Sequence, residues 1–270
     1  IPPSLIWSDD ETIFAYSYSN GIKFFRTKED GTVKEKDIEL PNILACDFTS
    51  ANGNIRFAVV YNDGSGNAKK MKLYQYPNLD NHVAFRTVME GEQFSVKISP
   101  NGQSAIAIGI NNRSDETYFG SSFAYYLNSQ GQNKMTIKKS GPIHCVEYSK
   151  IGDTFVVIAG HVPPDVAVHF DRIGTTYDVG EFSYNSVRFS PFHNLVAFGG
   201  FGNFAGAVKV FDTSKRQTVS DSEALYTSEW SWSPCGRLFV TAVLFPKMMV
   251  SNEFRIHNHA GQILQTVKME

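Results

Sequence analysis

The sequence predicts an all-β repeat fold of the β-propeller class, with about six blades' worth of chain in 270 residues. Three observations carry that expectation. A short phrase recurs six times: an apolar or aromatic residue, Ser or Thr, a polar turn, then an apolar run. The copies are regularly spaced. No stretch shows the apolar period of an amphipathic helix, and the 21 Phe and 12 Tyr suit the pleated surface of strands.

The copies run as follows. Ile6-Trp7-Ser8 precedes Ile13-Phe14-Ala15-Tyr16, and Asp47-Phe48-Thr49 precedes Ile55 to Val60. Lys97-Ile98-Ser99-Pro100-Asn101-Gly102 precedes Ala105 to Gly109, and Glu147-Tyr148-Ser149 precedes Phe155 to Gly160. Arg188-Phe189-Ser190-Pro191 leads into Leu195 to Gly199, and Ser231-Trp232-Ser233-Pro234-Cys235-Gly236 into Leu238 to Ala242. The Ser/Thr positions 8, 49, 99, 149, 190 and 233 are 41, 50, 50, 41 and 43 residues apart. WD40-type blades of four strands repeat at about 40–45 residues, which fits once loop insertions are allowed.

Ser-Pro-x-Gly is turn chemistry: Pro presets φ and Gly takes positive φ without a steric cost. The apolar runs that follow match strands buried on both faces. A polar hairpin and a third strand come next, as in Ile22-Lys23-Phe24-Phe25, Met71 to Tyr76, Ala207 to Asp212 and Glu253 to His257. A weaker outer strand closes each unit, such as Arg216-Gln217-Thr218-Val219. The expected organisation is one propeller over residues 1–270, with blades starting near residues 5, 46, 96, 146, 187 and 230. A β-sandwich or barrel with regular turns is the alternative. The start at Ile1-Pro2-Pro3-Ser4, without Met or a charged signal head, reads as the interior of a longer protein whose propeller has more blades.

Net charge is −2, from 25 basic and 27 acidic residues. That excludes a nucleic-acid binder acting through global charge, though not a local basic patch. Cys46, Cys145 and Cys235 are odd in number and far apart, which points to a reducing compartment. The triplet Asn112-Arg113-Ser114 is a sequon of a kind that is common by chance. No apolar run approaches the ~20 residues of a membrane span.

Tests for catalytic motifs come out negative. Asp63-Gly64-Ser65-Gly66-Asn67 lacks the spacing of a hydrolase elbow and reads as a hairpin turn. The cluster Gly199-Gly200-Phe201-Gly202-Asn203-Phe204-Ala205-Gly206 follows a strand but leads into another strand. Without a helix N-terminus it has no dipole for a pyrophosphate. His257-x-His259 has no carboxylate or cysteine nearby to complete a metal set, and Asp9-Asp10-Glu11 is the turn after Ser8. No cofactor is expected. The candidate contacts are basic: Lys69, Lys70 and Lys72 beside Tyr74 and Tyr76, then Lys138 and Lys139, then Lys215 and Arg216. They are either solvated blade edges or low-specificity contacts with RNA phosphates.

The second half goes beyond generic blade phrasing. Gly141-Pro142-Ile143-His144-Cys145-Val146 opens a blade, and Ala159-Gly160-His161-Val162-Pro163-Pro164 ends its second strand. Asn185-Ser186-Val187-Arg188-Phe189-Ser190-Pro191-Phe192-His193-Asn194, the glycine cluster, and the strand ending Phe211-Asp212 follow. Glu229-Trp230-Ser231-Trp232-Ser233-Pro234-Cys235-Gly236-Arg237 and Val250-Ser251-Asn252-Glu253-Phe254-Arg255-Ile256 come last. This order, over about residues 141–261, resembles the propeller of the eukaryotic translation initiation factor 2A family. The b-type component of initiation factor 3 shares the general plan with a poorer match at the glycine hairpin. Phe211 and His257 depart from the Trp that the family often has on the third strand.

The resemblance implies a cytoplasmic, non-enzymatic factor on or near the small ribosomal subunit, linked to initiator-tRNA delivery in non-standard initiation. Its implied partners are the small ribosomal subunit, initiator tRNA, mRNA and other initiation factors, reached partly through regions beyond Glu270, with no membrane involved. A generic protein-interaction propeller, a scaffold like the b-type component of initiation factor 3, and a propeller hydrolase using the central channel are the other readings.

Overall fold

A computed structural model describes residues 5–51, 53–112, 120–131, 136–139, 141–150, 154–161, 163–170, 175–192, 194–244 and 252–269. The N-terminal residues 1–4, residues 113 and 114 of the sequon, Ser140, Val162, His193 and the Val250-Ser251 pair lie outside the described residues. So do the side chains of Lys138 and Lys139.

Among the described residues the chain is strand, turn and loop without an α-helix, arranged in six four-stranded antiparallel sheets. The first sheet holds β1 (Leu5–Trp7), β2 (Ile13–Tyr18), β3 (Gly21–Lys28) and β4 (Gly31–Glu39). The second holds β5 (Ile43–Ala51), β6 (Asn54–Tyr61), β7 (Lys69–Gln75) and β8 (Ala84–Val88). The third holds β9 (Gln93–Ile98), β10 (Ser104–Asn111), β11 (Ser121–Asn128) and β12 (Thr136–Lys139). The fourth holds β13 (Ile143–Tyr148), β14 (Thr154–Ala159), β15 (Asp165–Phe170) and β16 (Thr175–Glu181). The fifth holds β17 (Ser186–Phe189), β18 (Leu195–Gly199), β19 (Ala207–Asp212) and β20 (Gln217–Glu223). The sixth holds β21 (Glu229–Trp232), β22 (Leu238–Val243), β23 (Glu253–Asn258) and β24 (Ile263–Lys268). Strand order follows chain order within every sheet, a four-stranded meander.

The recurring serine is the latch of the first hairpin. In five sheets its amide donates to the carbonyl five residues on: Ser8 to Ile13, Ser99 to Ser104, Ser149 to Thr154, Ser190 to Leu195 and Ser233 to Leu238. Ser8 and Ser99 also accept the returning amide on Oγ, at 3.0 Å each. A side chain with one donor and two acceptor sites suits a tight turn whose backbone groups need partners. The second sheet differs because β5 and β6 pair down to Ala51↔Asn54, so Thr49 lies inside the ladder and not at the turn. Its Oγ1 is free to reach the carbonyl of Pro100 in the third sheet, at 3.0 Å.

The chain divides into two compact units, Ile1–Pro142 and Ile143–Glu270, each of three sheets. In the first unit, Ile13, Ala15, Ile22 and Phe24 of the first sheet pack against Phe48, Phe57, Val59 and Tyr74 of the second. The opposite face of the second sheet, through Ala58, Val60, Met71 and Leu73, packs on Ala105, Ala107, Phe123 and Leu127 of the third. In the second unit Val156, Ile158, Val166 and Val168 meet Val187, Val196 and Phe198. Ala197, Val208 and Val210 then meet Trp230, Trp232 and Phe239. Strand side chains alternate between faces, so one apolar strand serves two neighbouring cores at once. This is the physical reason the second strands read as unbroken apolar runs.

Burial follows position in the repeat. Strand β14 is buried without a break from Phe155 to Ala159, and β18 from Val196 to Gly199. In the first and last sheets, β2 and β22 are buried only at alternate residues, although their sequences are as apolar as the others.

Candidate interaction sites

The basic residues singled out by sequence do not form one patch. Lys69, Lys70 and Lys72 lie on β7, where alternation sends Lys69 to one face and Lys70 and Lys72 to the other. Lys69 stands over the Phe94 ring at 6.0 Å, and Lys72 over Tyr61 at 5.6 Å and Tyr74 at 5.9 Å. Lys70 pairs with Asp63, whose carboxyl Lys70 and the Ser65 hydroxyl hold well below the usual range. All three lysines are half-buried and already have aromatic or acidic neighbours. Lys138 and Lys139 are on the outer strand β12, paired with Phe123 and Ser122. Lys215 and Arg216 occupy the turn between β19 and β20. Lys215 is 68% exposed, 3.9 Å from Asp212, and Arg216 takes positive φ (53°). Lys215 and Arg216 are exposed, in contrast to the half-buried lysines of β7.

The turn after β6 is built by its own side chains. Asn62 Oδ1 accepts the Gly64 amide, and Asp63 accepts the Ser65 amide and hydroxyl. This is a capped hairpin, the reading expected for Asp63 to Asn67. His257 and His259 do not share a strand face. His257 is buried on β23, stacked on Phe239 at 4.6 Å and hydrogen-bonded to Thr241 at 2.9 Å, whereas His259 sits in the following turn. Asp10 accepts from Ser8 Oγ and from the amide and hydroxyl of Thr12, so it caps the turn, and its carboxyl is held down by those bonds. No group of three or more His, Cys, Asp or Glu that could hold a metal occurs among the described residues.

The glycine cluster forms the hairpin between β18 and β19, and crowding explains its composition. A Cβ on Gly200 would lie 2.0 Å from the Ser183 carbonyl oxygen, and one on Gly199 2.2 Å from the Phe201 ring. Gly206 takes φ 85° with the Ala224 carbonyl 2.7 Å from where its Cβ would be. The hairpin therefore lies flat against its neighbours and carries Phe201 into the core, edge-on to Trp230 at 5.4 Å. Asn185 clamps Phe201 from both sides, donating to its carbonyl (2.9 Å) and accepting from its amide (3.1 Å).

Beside this hairpin, between the fifth and sixth sheets, is an open cleft of about 460 Å3. Its walls include Ser186, Arg188, Phe201, Gly202, Glu229 and Trp230. Trp230 Nε1 donates to Ser186 Oγ (2.9 Å) and Trp232 Nε1 to the Arg188 carbonyl (3.0 Å), which ties β17 to β21 on either side of Arg188. In the sequence Arg188 and Glu229 stand out only as parts of motifs. They come together through packing of strands some 40 positions apart, a distance at which no local pattern signals a site.

The family profile described as "Eukaryotic translation initiation factor eIF2A" matches residues 86–270. The chain belongs to the eukaryotic translation initiation factor 2A family. The family member from Drosophila melanogaster is 30% identical over 96% of the chain and 42% of its own length. The one from Dictyostelium discoideum is 26% identical over 97% and 43%. The chain thus spans less than half the length of these relatives. The b-type component of initiation factor 3 from Bombyx mori is more distant, at 19% identity over 99% of the chain and 40% of that protein. A solved structure titled "Crystal structure of the eukaryotic initiation factor" superposes with a TM-score of 0.83 at 21% identity. It covers 98% of the chain and 65% of that structure. The WD40 domain of Sif2 superposes at 0.52 with 9% identity, over 94% of the chain and 66% of that domain. These likenesses show the fold, a WD40-like β-propeller, as the Ser/Thr repeat led us to expect. The family resemblance expected over residues 141–261 extends further, back through the third sheet.

Proposed function

We propose that the chain is a propeller scaffold of translation initiation, acting on or near the small ribosomal subunit and linked to initiator-tRNA delivery in non-standard initiation. Initiator tRNA, mRNA and other initiation factors are further partners, met partly through regions outside this chain, in the cytoplasm. The observation that carries this reading is the family match over residues 86–270. The chemistry of the surface is compatible with it. Single-stranded or duplex RNA offers phosphates, and an open cationic turn such as Lys215-Arg216 supplies sequence-independent contacts. The lysines of β7 are weaker candidates because they are half-buried, whereas Lys215 and Arg216 are exposed. The greater distance of the initiation factor 3 relative makes that alternative the less favoured scaffold.

Co-sedimentation with purified small ribosomal subunits tests the proposal, using both this chain and the full-length protein. The expected result is pelleting at low salt that weakens as salt rises. Lys215→Glu combined with Arg216→Glu should lower the salt slope by roughly two, one for each phosphate no longer neutralised. Failure of the full-length protein to pellet at low salt would overturn the reading.

A further inference from the structure

We propose that the cleft between the fifth and sixth sheets is a docking site for an extended segment of a partner protein, one that carries a carboxylate next to an apolar side chain. The site is built rather than incidental. Asn185 fixes Phe201, the crowded glycines Gly199, Gly200 and Gly206 admit no side chain, and two indole N–H bonds tie the inner strands together. These supports hold a cleft of about 460 Å3, room for one large side chain and the backbone that carries it.

Arg188 supplies the charge complementarity. It is exposed on β17, and its guanidinium has no hydrogen-bond or ion-pair partner among the described residues. Glu229, the other charged wall, already has a polar or electrostatic partner. An unengaged guanidinium is a planar fork of donors matched to a carboxylate, which it can take bidentately. Ser186 Oγ accepts from Trp230, and its own proton remains available as a further donor.

The rim supplies the apolar contact. The loop from β20 into β21 contributes Thr227 and Ser228 to the cleft, and just before them Leu225 and Tyr226 are 44% and 56% exposed. Tyr226 takes φ 62°, a costly conformation for a bulky residue. The loop is nonetheless held there, with Thr227 Oγ1 donating to Ala224 O (2.8 Å) and Arg255 Nη1 to Leu225 O (3.1 Å). An exposed Tyr one residue before the cleft wall, with an unpaired Arg and a Trp within that wall, is the composition of protein-binding hot spots. A polyanion fits less well, because the cleft has one cation set against one carboxylate and the chain's net charge is −2. The inference does not rest on ribosome association, since its probe is a peptide alone.

The test is selection from a display library of random short peptides against the purified chain, followed by fluorescence anisotropy with the most enriched peptide. Enrichment of Asp or Glu beside Leu, Ile or Phe is expected. Changing that acid to its amide, or Arg188→Gln in the protein, should each weaken binding about tenfold, and the two together no more than either alone. Arg188→Lys keeps the charge but not the fork and should fall between. Tyr226→Ala should weaken binding with the acid intact, and Lys215→Gln should leave it unchanged. Arg188 is exposed, so its variants should melt as the parent does. The proposal is overturned if no peptide or no acidic motif is enriched, or if Arg188→Gln has no effect. Additive losses would also overturn it, as would Arg188-dependent binding of an oligouridylate more tightly than of the peptide.

Discussion

His169 and His257 occupy the same place in two different sheets, on the third strand opposite an aromatic of the second. His169 stacks on Phe155 at 4.7 Å and His257 on Phe239 at 4.6 Å. Phe211 holds that place in the fifth sheet, opposite Val196. Burial disfavours the charged imidazole and pushes His169 down to about 4, and it pushes His257 down as well. His169 Nδ1 meets Thr176 Oγ1 at 3.0 Å, while its buried Nε2 has no hydrogen-bond partner among the described residues. Because the folded state favours the neutral ring, this stability is complete above the unfolded value near 6.5. It is lost as pH falls from there towards about 4. The thermal midpoint should therefore drop between pH 7 and pH 4, and His169→Phe should flatten that drop. An unchanged slope in the variant would mean that His169 is not the titrating group. The substitution of His for an aromatic at position 257 was readable from the sequence, but the equivalent role of His169 was not. Its strand carries no motif, and only the register places it against Phe155.

At the scale of elements, the glycine hairpin separates two reasons for glycine. Gly200 has ordinary φ but no room, with the Ser183 oxygen 2.0 Å from a Cβ site, whereas Gly202 has room on all sides but φ of 72°. Gly200→Ala must displace backbone and should cost about 3 kcal/mol, at the upper end for overpacking. Gly202→Ala meets only the left-handed penalty of about 1 kcal/mol. Denaturant unfolding of the two variants measures the difference, and equal losses would refute the packing account. The sequence alone identified this segment as a hairpin, because a strand and not a helix follows it. It could not reveal the clamp by Asn185 or the cleft, since those contacts join three separate segments of the chain.

At the scale of the molecule, the alternating burial of β2 and β22 bears on what surrounds the six sheets. On the first sheet Leu5, Trp7, Phe14, Tyr16 and Phe25 share the face turned away from the second sheet, and Trp7, Phe14 and Phe25 stack in a row at 4.8 and 4.9 Å. Trp7 is 45% exposed, against 8% for Trp230 and for Trp232. So large an aromatic row suits burial against another blade, which the longer propeller expected from the sequence would supply. Acrylamide should therefore quench Trp7 in this chain while sparing Trp230 and Trp232. In the full-length protein Trp7 should become protected, and persistent quenching there would argue against a blade on that face.

The sequence by itself determined the class of fold, the family and the blade-by-blade repeat. Those depend on local chemistry: a serine latching a hairpin, glycine and proline in its turn, and apolar runs that serve two cores. The tertiary structure alone decided which residues act together. It separated Lys69 from Lys70 and Lys72 by strand alternation and engaged all three with neighbours. It turned the His257 pair into one packing residue and one turn residue, and it brought Arg188, Glu229 and the glycine hairpin around one cleft. Strand pairing joins residues far apart in the chain, and its register decides which face each side chain takes. No short window of sequence contains that information.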